Sequence, residues 1–207
     1  MANGDINTNG YTLRVARTAQ DFQSFREIVL DFHHFLNVDL SFQNFEGEMA
    51  GLPGCYAQPD GAILIASVMT ESGSRDAGAV AVRPLPEKAK SWQSIAAAAA
   101  AAEDSGTSNA GENGSDGEVS QGWHGRICEM KRLYVRPEFR GLQLGRVLCE
   151  ELIRLSREMG YDEMVLDTLD RLKSAGRTYE NLGFEQCGPY YHNPHPGVIY
   201  WRKSLKI

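Results

Sequence analysis

Residues 135–146 have the types and spacing of a phosphate-binding loop. An apolar strand pattern leads into this segment, and an amphipathic helix pattern leads out of it. The first amides of a helix have no partner inside the helix and lie at the positive end of its dipole, so such a turn can bind a diphosphate through the main chain. Gly141 and Gly145 would allow close approach of the backbone, and Arg140 and Arg146 add positive charge. The alternative is a tight turn with solvent-exposed arginines.

The elements that must position this loop follow from hydrophobic periodicity. Alternating apolar residues indicate strands, and apolar residues three or four apart indicate amphipathic helices. The predicted strands are 11–17, 62–69, 77–83, 126–135, 163–168, 184–187 and 198–205, and the predicted helices are 20–37, 40–50, 144–159 and 174–182. Strands and helices in this order predict an α/β fold with one central sheet.

The 207 residues can bury one sizeable core, and we expect a single domain over 1–207. Residues 86–122 are alanine-rich and then acidic, and residues 1–9 are polar. Neither stretch carries enough apolar surface to offset its ordering entropy. We therefore predict a flexible insertion at 86–122, with a short helix over its alanine run, and a disordered N-terminus.

Composition argues against several classes of function. The net charge is −6, whereas nucleic-acid binding usually requires a basic face. No apolar run reaches the roughly 20 residues of a membrane helix, and the first residues do not form a secretory signal. The four cysteines lack the paired spacing of a zinc site, and His192 and His195 lack a nearby carboxylate. We expect reduced thiols, no bound metal, and a location in the cytoplasm, with the nucleus as the alternative.

Three motifs in order resemble the GNAT superfamily of N-acetyltransferases. Its R/Q-x-x-G-x-G/A signature reads Arg140-Gly141-Leu142-Gln143-Leu144-Gly145, the strand before it is 129–135, and 179–184 reads Tyr-Glu-Asn-Leu-Gly-Phe. Gln143 replaces the first signature glycine, and we expect it to keep a helical or extended backbone. The strand 128–135 together with 189–194 is similar to a subgroup of bacterial and fungal members of undefined substrate. The resemblance covers about 124–188 firmly and 11–85 more loosely.

The resemblance implies a fold, a donor and a set of contacts. The fold is one GNAT-like domain with a mixed, mostly antiparallel twisted sheet of six to seven strands, a splayed fourth strand and about four helices. The donor is acetyl-CoA, with its pantetheine arm along the splayed strand and its diphosphate on the loop. The residues expected to contact it are Leu133, Tyr134, Val135, Arg140, Gly141, Leu142, Gln143, Leu144, Gly145, Arg146, Ser174 and Arg177.

Two side chains match the family's acid and base. Glu129 is the candidate general base, and Tyr179 is the candidate general acid, because a phenol is protonated at neutral pH and can donate to a departing thiolate. The alternatives are a glutamate paired with Lys131 or Arg132, and a tyrosine of the core.

The acceptor is expected on the other side of the splayed strand. Arg83 and Arg132 could hold a carboxylate, and Tyr190, Tyr191 and Asn193 lie in the loop that lines the acceptor side of this fold. The sequence thus predicts acetyl transfer to a small-molecule amine. Two arginines would suit an amino acid or another amine that carries a carboxylate, and surface ion pairs would explain the two arginines equally well. A protein or peptide acetyltransferase and a non-catalytic acyl-CoA sensor are the alternatives. The resemblance also allows a homodimer.

Overall fold

The computed structural model describes residues 6–8, 10–86 and 125–206. Its strands are β1 (Ile6–Thr8), β2 (Tyr11–Val15), β3 (Ala62–Thr70), β4 (Gly73–Pro84), β5 (Ile127–Val135), β6 (Glu163–Leu169), β7 (Glu185–Cys187) and β8 (Val198–Ser204). Its α-helices are α1 (Ala19–Leu36), α2 (Phe45–Ala50), α3 (Leu144–Glu158) and α4 (Lys173–Asn181). Short 3₁₀ helices occur at Ser41–Gln43, Gly54–Tyr56 and Pro137–Phe139.

All described strands form one sheet in the order β1-β2-β3-β4-β5-β6-β8-β7. Every neighbouring pair is antiparallel except β5 and β6, which are parallel and are connected through α3. The predicted α/β fold, with a mixed and mostly antiparallel sheet and four helices, is confirmed. The sheet has one strand more than expected because Ile6–Thr8 pairs with the free edge of β2.

This pairing corrects part of the prediction for the N-terminus, because main-chain hydrogen bonds to an open strand edge do not require apolar side chains. Residues 1–5 and 9 lie outside the described residues, and so does the predicted insertion beyond Pro86, including its alanine-rich helix. All four cysteines are free. No helix among the described residues combines the length and the apolar character needed to cross a membrane.

The helices cover both faces of the sheet. Alternation along β3 sends Leu64 to the core beneath α3 and α4, and Ile63 and Ile65 to the core beneath α1 and α2. The amphipathic stripe of α3 supplies Leu144, Leu148 and Leu152 to the first core. A capping box between Thr18 and Asp21 fixes the start of α1. Both faces of the central strands, including β5, are therefore buried.

Two irregularities shape β5. Opposite β4, the register shifts between Ala79 and Ala81, and Arg132 has a φ of 61° at this bulge. On the other side, the parallel ladder with β6 covers Ile127–Glu129 against Glu163–Val165 and then stops. Beyond Glu129 the two strands separate, and this split is the splay that the family resemblance predicted.

Candidate active site

The turn after β5 leaves the start of α3 open. Within the described residues no side chain caps this helix, and the first intrahelical bond is donated by the amide of Val147 to the carbonyl of Gln143. The earlier amides of the first turn are thus available to an anion. Gly141 has a φ of 88°, as a glycine-dependent turn requires, and the position that a Cβ would occupy is open.

Gln143 does not have the helical or extended backbone that we expected. It lies in the left-handed region, with φ 56° and ψ 16°, and precedes the helix as its N-cap residue. A non-glycine residue pays roughly 1–2 kcal/mol for this conformation, which the surrounding turn must impose. The side chain is exposed and borders the cavity next to the loop instead of filling it, so the turn is not blocked.

A cavity of about 680 Å³, here named the loop cavity, lies against this turn. It is bordered by most of the residues predicted to contact the donor: Leu133, Tyr134, Val135, Arg140, Gly141, Gln143, Leu144, Gly145, Arg146 and Ser174. Leu142 and Arg177 are both exposed and do not border it. Arg177 lies on the exposed side of α4, so its contact with the donor stays a prediction. Arg171 and Lys173, which sequence reasoning missed, supply the basic groups on that side.

Replacing Gly145 by alanine should separate folding from donor binding. An added Cβ would meet only Val135 Cγ2, at 3.9 Å, so we expect the free energy of unfolding to rise by up to about 1 kcal/mol through helix propensity. The same methyl group enters the loop cavity and should raise the KM for acetyl-CoA about tenfold. Urea unfolding and steady-state kinetics measure the two effects. Gly176→Ala in α4, whose Cβ would meet Trp201 Cζ2 at 3.8 Å, should show the stability gain alone; an equal KM change would contradict the assignment.

A narrow cavity of about 100 Å³, the central cavity, lies in the split between β5 and β6. Tyr179 borders it from α4 and is 5% exposed. Its hydroxyl forms no hydrogen bond with any described residue, so it is available to a ligand. Burial, with smaller contributions from Cys149 and Asp167, raises the pKa of Tyr179 well above its ordinary value. The phenol is therefore protonated at neutral pH.

Glu129 is buried at the point where the split begins. Its Oε2 accepts hydrogen bonds from Arg83 at 2.8 Å, directly across the ladder on β4, and its Oε1 accepts one from Tyr190 at 3.0 Å. Lys131 Nζ lies 3.4 Å from Oε1. The ion-paired alternative considered for Glu129 is thus what the structure shows, with Arg83 as the first partner. This pairing leaves its role as a base untested.

Asp167 on β6 and Lys131 on β5 extend this network, and sequence reasoning did not select either. Asp167 accepts from Lys131 at 3.2 Å, from Tyr191 at 2.8 Å and from Asn193 at 3.2 Å. Burial alone would raise the pKa of Asp167, but Lys131 and the hydrogen bonds outweigh it and lower the pKa. A signal existed, because Asp167 directly follows three apolar residues of the strand, 164–166, and Lys131 shares a strand face with Glu129.

The two arginines expected to hold a substrate carboxylate are already paired. The Arg132 guanidinium, 4% exposed, donates to both oxygens of Glu48 at 2.9 and 2.7 Å, and Tyr56 donates to the same carboxylate at 2.7 Å. Arg83 is paired with Glu129 as described above. An arginine on a strand that lies next to a helix can meet a carboxylate from that helix, and α2 provides one here. Neither arginine is an open carboxylate site.

A third cavity, of about 500 Å³ and here named the tyrosine cavity, shares no bordering residue with the loop cavity. It is bordered by Phe42, Gln43, Asn44, Arg83, Pro86, Glu129, Lys131, Tyr190, Tyr191 and His192. Asn193 borders the central cavity instead. The central cavity shares Gln43 and Lys131 with the tyrosine cavity, and it shares Phe32, Leu133, Leu172 and Ala175 with the loop cavity. The central cavity therefore adjoins both of the others.

An anion-binding turn, a split strand pair and a phenol at their junction define an acyltransferase that uses a coenzyme A thioester. The family model described as the acetyltransferase (GNAT) family matches residues 77–184. An uncharacterised N-acetyltransferase of Schizosaccharomyces pombe is 37% identical over 194 residues, which is 94% of each chain. This chain belongs to the GNAT acetyltransferase family and is an acetyl-CoA-dependent N-acetyltransferase of that type.

Other comparisons agree with this membership. An uncharacterised N-acetyltransferase of Dictyostelium discoideum is 49% identical over 82 residues, which cover 40% of this chain and 38% of that relative. Among solved structures, a putative acetyltransferase from Salmonella typhimurium with its cofactor acetyl-CoA aligns over 96% of this chain and 95% of its own, with a TM-score of 0.53 and 16% identity. At that identity the likeness concerns the fold.

Proposed function

We propose that this protein transfers the acetyl group of acetyl-CoA to the amine of a small molecule, by direct attack while both substrates are bound. The proposal rests on three adjoining cavities: the loop cavity, the central cavity in the split between β5 and β6, and the tyrosine cavity. The donor would enter from the loop cavity and the acceptor from the tyrosine cavity, and the two would meet in the central cavity beside Tyr179.

The residues around the loop cavity fit coenzyme A. The uncapped amides at Leu144 to Arg146 and the left-handed turn at Gly141 suit the diphosphate. Main-chain groups of β5 that face the split at Leu133 to Val135 have no partner on β6 and suit an extended arm. Acetyl-CoA supplies an activated acyl group, and the remaining chemistry falls to side chains of this protein.

Tyr179 would protonate the sulfur as the carbon–sulfur bond breaks. A phenol with a raised pKa would be a poor donor to a thiolate in water. The thiolate released in the same buried cavity is also desolvated, which raises the proton affinity of the sulfur. The proton affinities of the phenol and the thiolate therefore stay close to each other. The absence of a competing hydrogen bond from the described residues leaves the Tyr179 proton free for this transfer.

Glu129 remains our candidate base. An ammonium must lose one proton before attack, and its nitrogen loses a second as the new carbon–nitrogen bond forms. The Glu129–Lys131–Asp167 network borders the central and tyrosine cavities and can pass these protons on through Tyr190 and Tyr191. One of the two protons replaces the proton that Tyr179 gives to sulfur, and the other is released, so that the step balances.

An amine panel with acetyl-CoA, read by release of free thiol, tests this function. The panel should include alkylamines, arylalkylamines, amino acids and a lysine-containing peptide. We expect turnover with at least one free small amine, exceeding thioester hydrolysis without an acceptor by 100-fold or more, as positioning by an enzyme typically provides about this much. Turnover of the peptide alone would favour a protein acetyltransferase. Donor binding, seen as a raised thermal midpoint, without turnover of any amine would favour a sensor.

The homodimer and the cytoplasmic location stay predictions from the resemblance and the sequence. Neither affects the proposed chemistry, because every group named above comes from one chain.

A further inference from the structure

Gln43 lies where the central and tyrosine cavities meet. It ends the 3₁₀ helix between α1 and α2 and borders both cavities. Its side-chain oxygen, Oε1, is buried and has no hydrogen-bond donor among the described residues. A buried oxygen without a partner costs roughly 1–3 kcal/mol, so a ligand that donates to it would recover that cost.

The neighbouring hydrogen bonds fix which end of the Gln43 amide is unpaired. The Asp167 carboxylate can only accept, and it takes the single hydroxyl proton of Tyr191 at 2.8 Å. The Tyr191 oxygen must then accept from the Gln43 amide nitrogen, at 3.1 Å. Exchanging the amide oxygen and nitrogen would place two acceptors against each other. Oε1 therefore remains an acceptor that no described residue uses.

The charges around this oxygen are compensated within the protein. The tyrosine cavity has one arginine and one lysine on its border: Arg83 is paired with Glu129, and Lys131 lies between Glu129 and Asp167. A substrate carboxylate would have to displace one of these buried partners. Phe42, Tyr190 and Tyr191 add aromatic surface. The cavity thus offers a hydrogen-bond acceptor and aromatic walls, without an unpaired Arg or Lys among its described residues.

We propose that Gln43 Oε1 accepts one N–H of the acceptor amine and thereby selects primary amines carried on an apolar or aromatic body without a carboxylate. This inference rests on the proposed function and narrows its substrate class. A primary amine has two N–H groups as its lone pair attacks, so one can reach Gln43 while the other is given to the base.

The proposal is tested by measuring each of three enzymes with each of three substrates, as in a double-mutant cycle. The substrates are phenethylamine, N-methylphenethylamine and phenylalanine, and the enzymes are wild type, Gln43→Met and the control Gln186→Met on the exposed edge strand β7. N-methylation removes one N–H, and methionine removes the whole amide, including Oε1 and the donor to Tyr191, at similar volume. We expect Gln43→Met to raise the KM for phenethylamine about tenfold and to leave the KM for acetyl-CoA unchanged, as loss of one buried hydrogen bond implies.

The decisive quantity is the coupling between the Gln43→Met substitution and N-methylation of the substrate. The bulk of the added methyl group affects every enzyme alike and therefore cancels. Wild type and Gln186→Met should prefer phenethylamine over its N-methyl derivative about tenfold more strongly than Gln43→Met does. Wild type should also prefer phenethylamine over phenylalanine by at least tenfold in kcat/KM. Equal preferences in all three enzymes, a preference for phenylalanine, or turnover of other amines but not phenethylamine would overturn the proposal. Absence of turnover with any amine would instead overturn the proposed function.

Discussion

Replacing Tyr179 by phenylalanine is expected to lower kcat by about 100- to 1000-fold, the usual contribution of a positioned general acid. The ring is buried and packs against Phe184 and Trp201, with centroids 5.8 and 6.1 Å away, and phenylalanine keeps these contacts. Because the Tyr179 hydroxyl bonds to no described residue, its removal should change the free energy of unfolding by less than about 0.5 kcal/mol. The KM for acetyl-CoA should change little.

Tyr161→Phe provides a matched control with the opposite pattern. This tyrosine is equally buried, but its hydroxyl donates to the carbonyl of Asp60 at 2.6 Å and borders none of the three cavities. We expect it to lose about 1 kcal/mol of stability and no activity. Single-turnover kinetics and urea unfolding of both variants distinguish a catalytic role of Tyr179 from a purely structural one. If Tyr179→Phe retained full kcat, the phenol would be a core residue and another group would have to protonate the sulfur.

Removing the Glu48 carboxylate should give the largest loss of stability. Glu48→Ala leaves the Arg132 guanidinium buried without its bidentate partner, and breaking such a pair costs about 3–5 kcal/mol. Burial alone would raise the pKa of Glu48, but hydrogen bonding to Arg132 outweighs it and lowers the pKa. The carboxylate is therefore ionised at neutral pH, and the full loss should be seen there by urea unfolding.

Two comparisons show whether the cost comes from the unpaired charge. Glu138→Ala breaks an ion pair of similar length, 2.9 Å to Arg75, but both of those side chains are about half exposed, so the loss should stay below about 1 kcal/mol. The double variant Glu48→Leu/Arg132→Met should recover most of the stability lost in Glu48→Ala. A loss from Glu48→Ala no greater than that from Glu138→Ala would mean that the pair does not hold α2 against β5.

Local sequence patterns were sufficient to predict most of the helices and strands. The apolar stripe of 144–159 and the alternation in 62–69 each reflect one buried face, so their periodicity predicted α3 and β3 to within a residue or two. The turn between β5 and α3 was also predicted, because glycines, arginines and the onset of a helix lie within one short segment. The left-handed backbone of Gln143 was not predicted from the sequence, since the surrounding turn imposes this conformation and glutamine itself does not prefer it.

The pairing of charges in the buried ion network could not be predicted from local patterns. Its members come from four elements, and their pairing depends on where β5 and β6 separate, which is a property of the sheet. Arg83 and Arg132 illustrate the difficulty: basic residues near a presumed site suggested a carboxylate ligand, whereas Glu129 and Glu48 supply that carboxylate from within the protein. Gln43 gave no local signal, because an unused acceptor oxygen becomes apparent only when its neighbours' protons are assigned.

The split between β5 and β6 has a further consequence. It creates two inner rows of amides and carbonyls inside the sheet, where α1 and the loop before β8 leave room for little more than a thin, extended molecule. Such rows on an outer edge invite aggregation, whereas here they border a groove in which the extended arm of the donor would dock under the proposed function. Recognition by the main chain does not depend on which side chains are attached. The groove can therefore survive extensive sequence drift, provided that proline does not remove one of its donors.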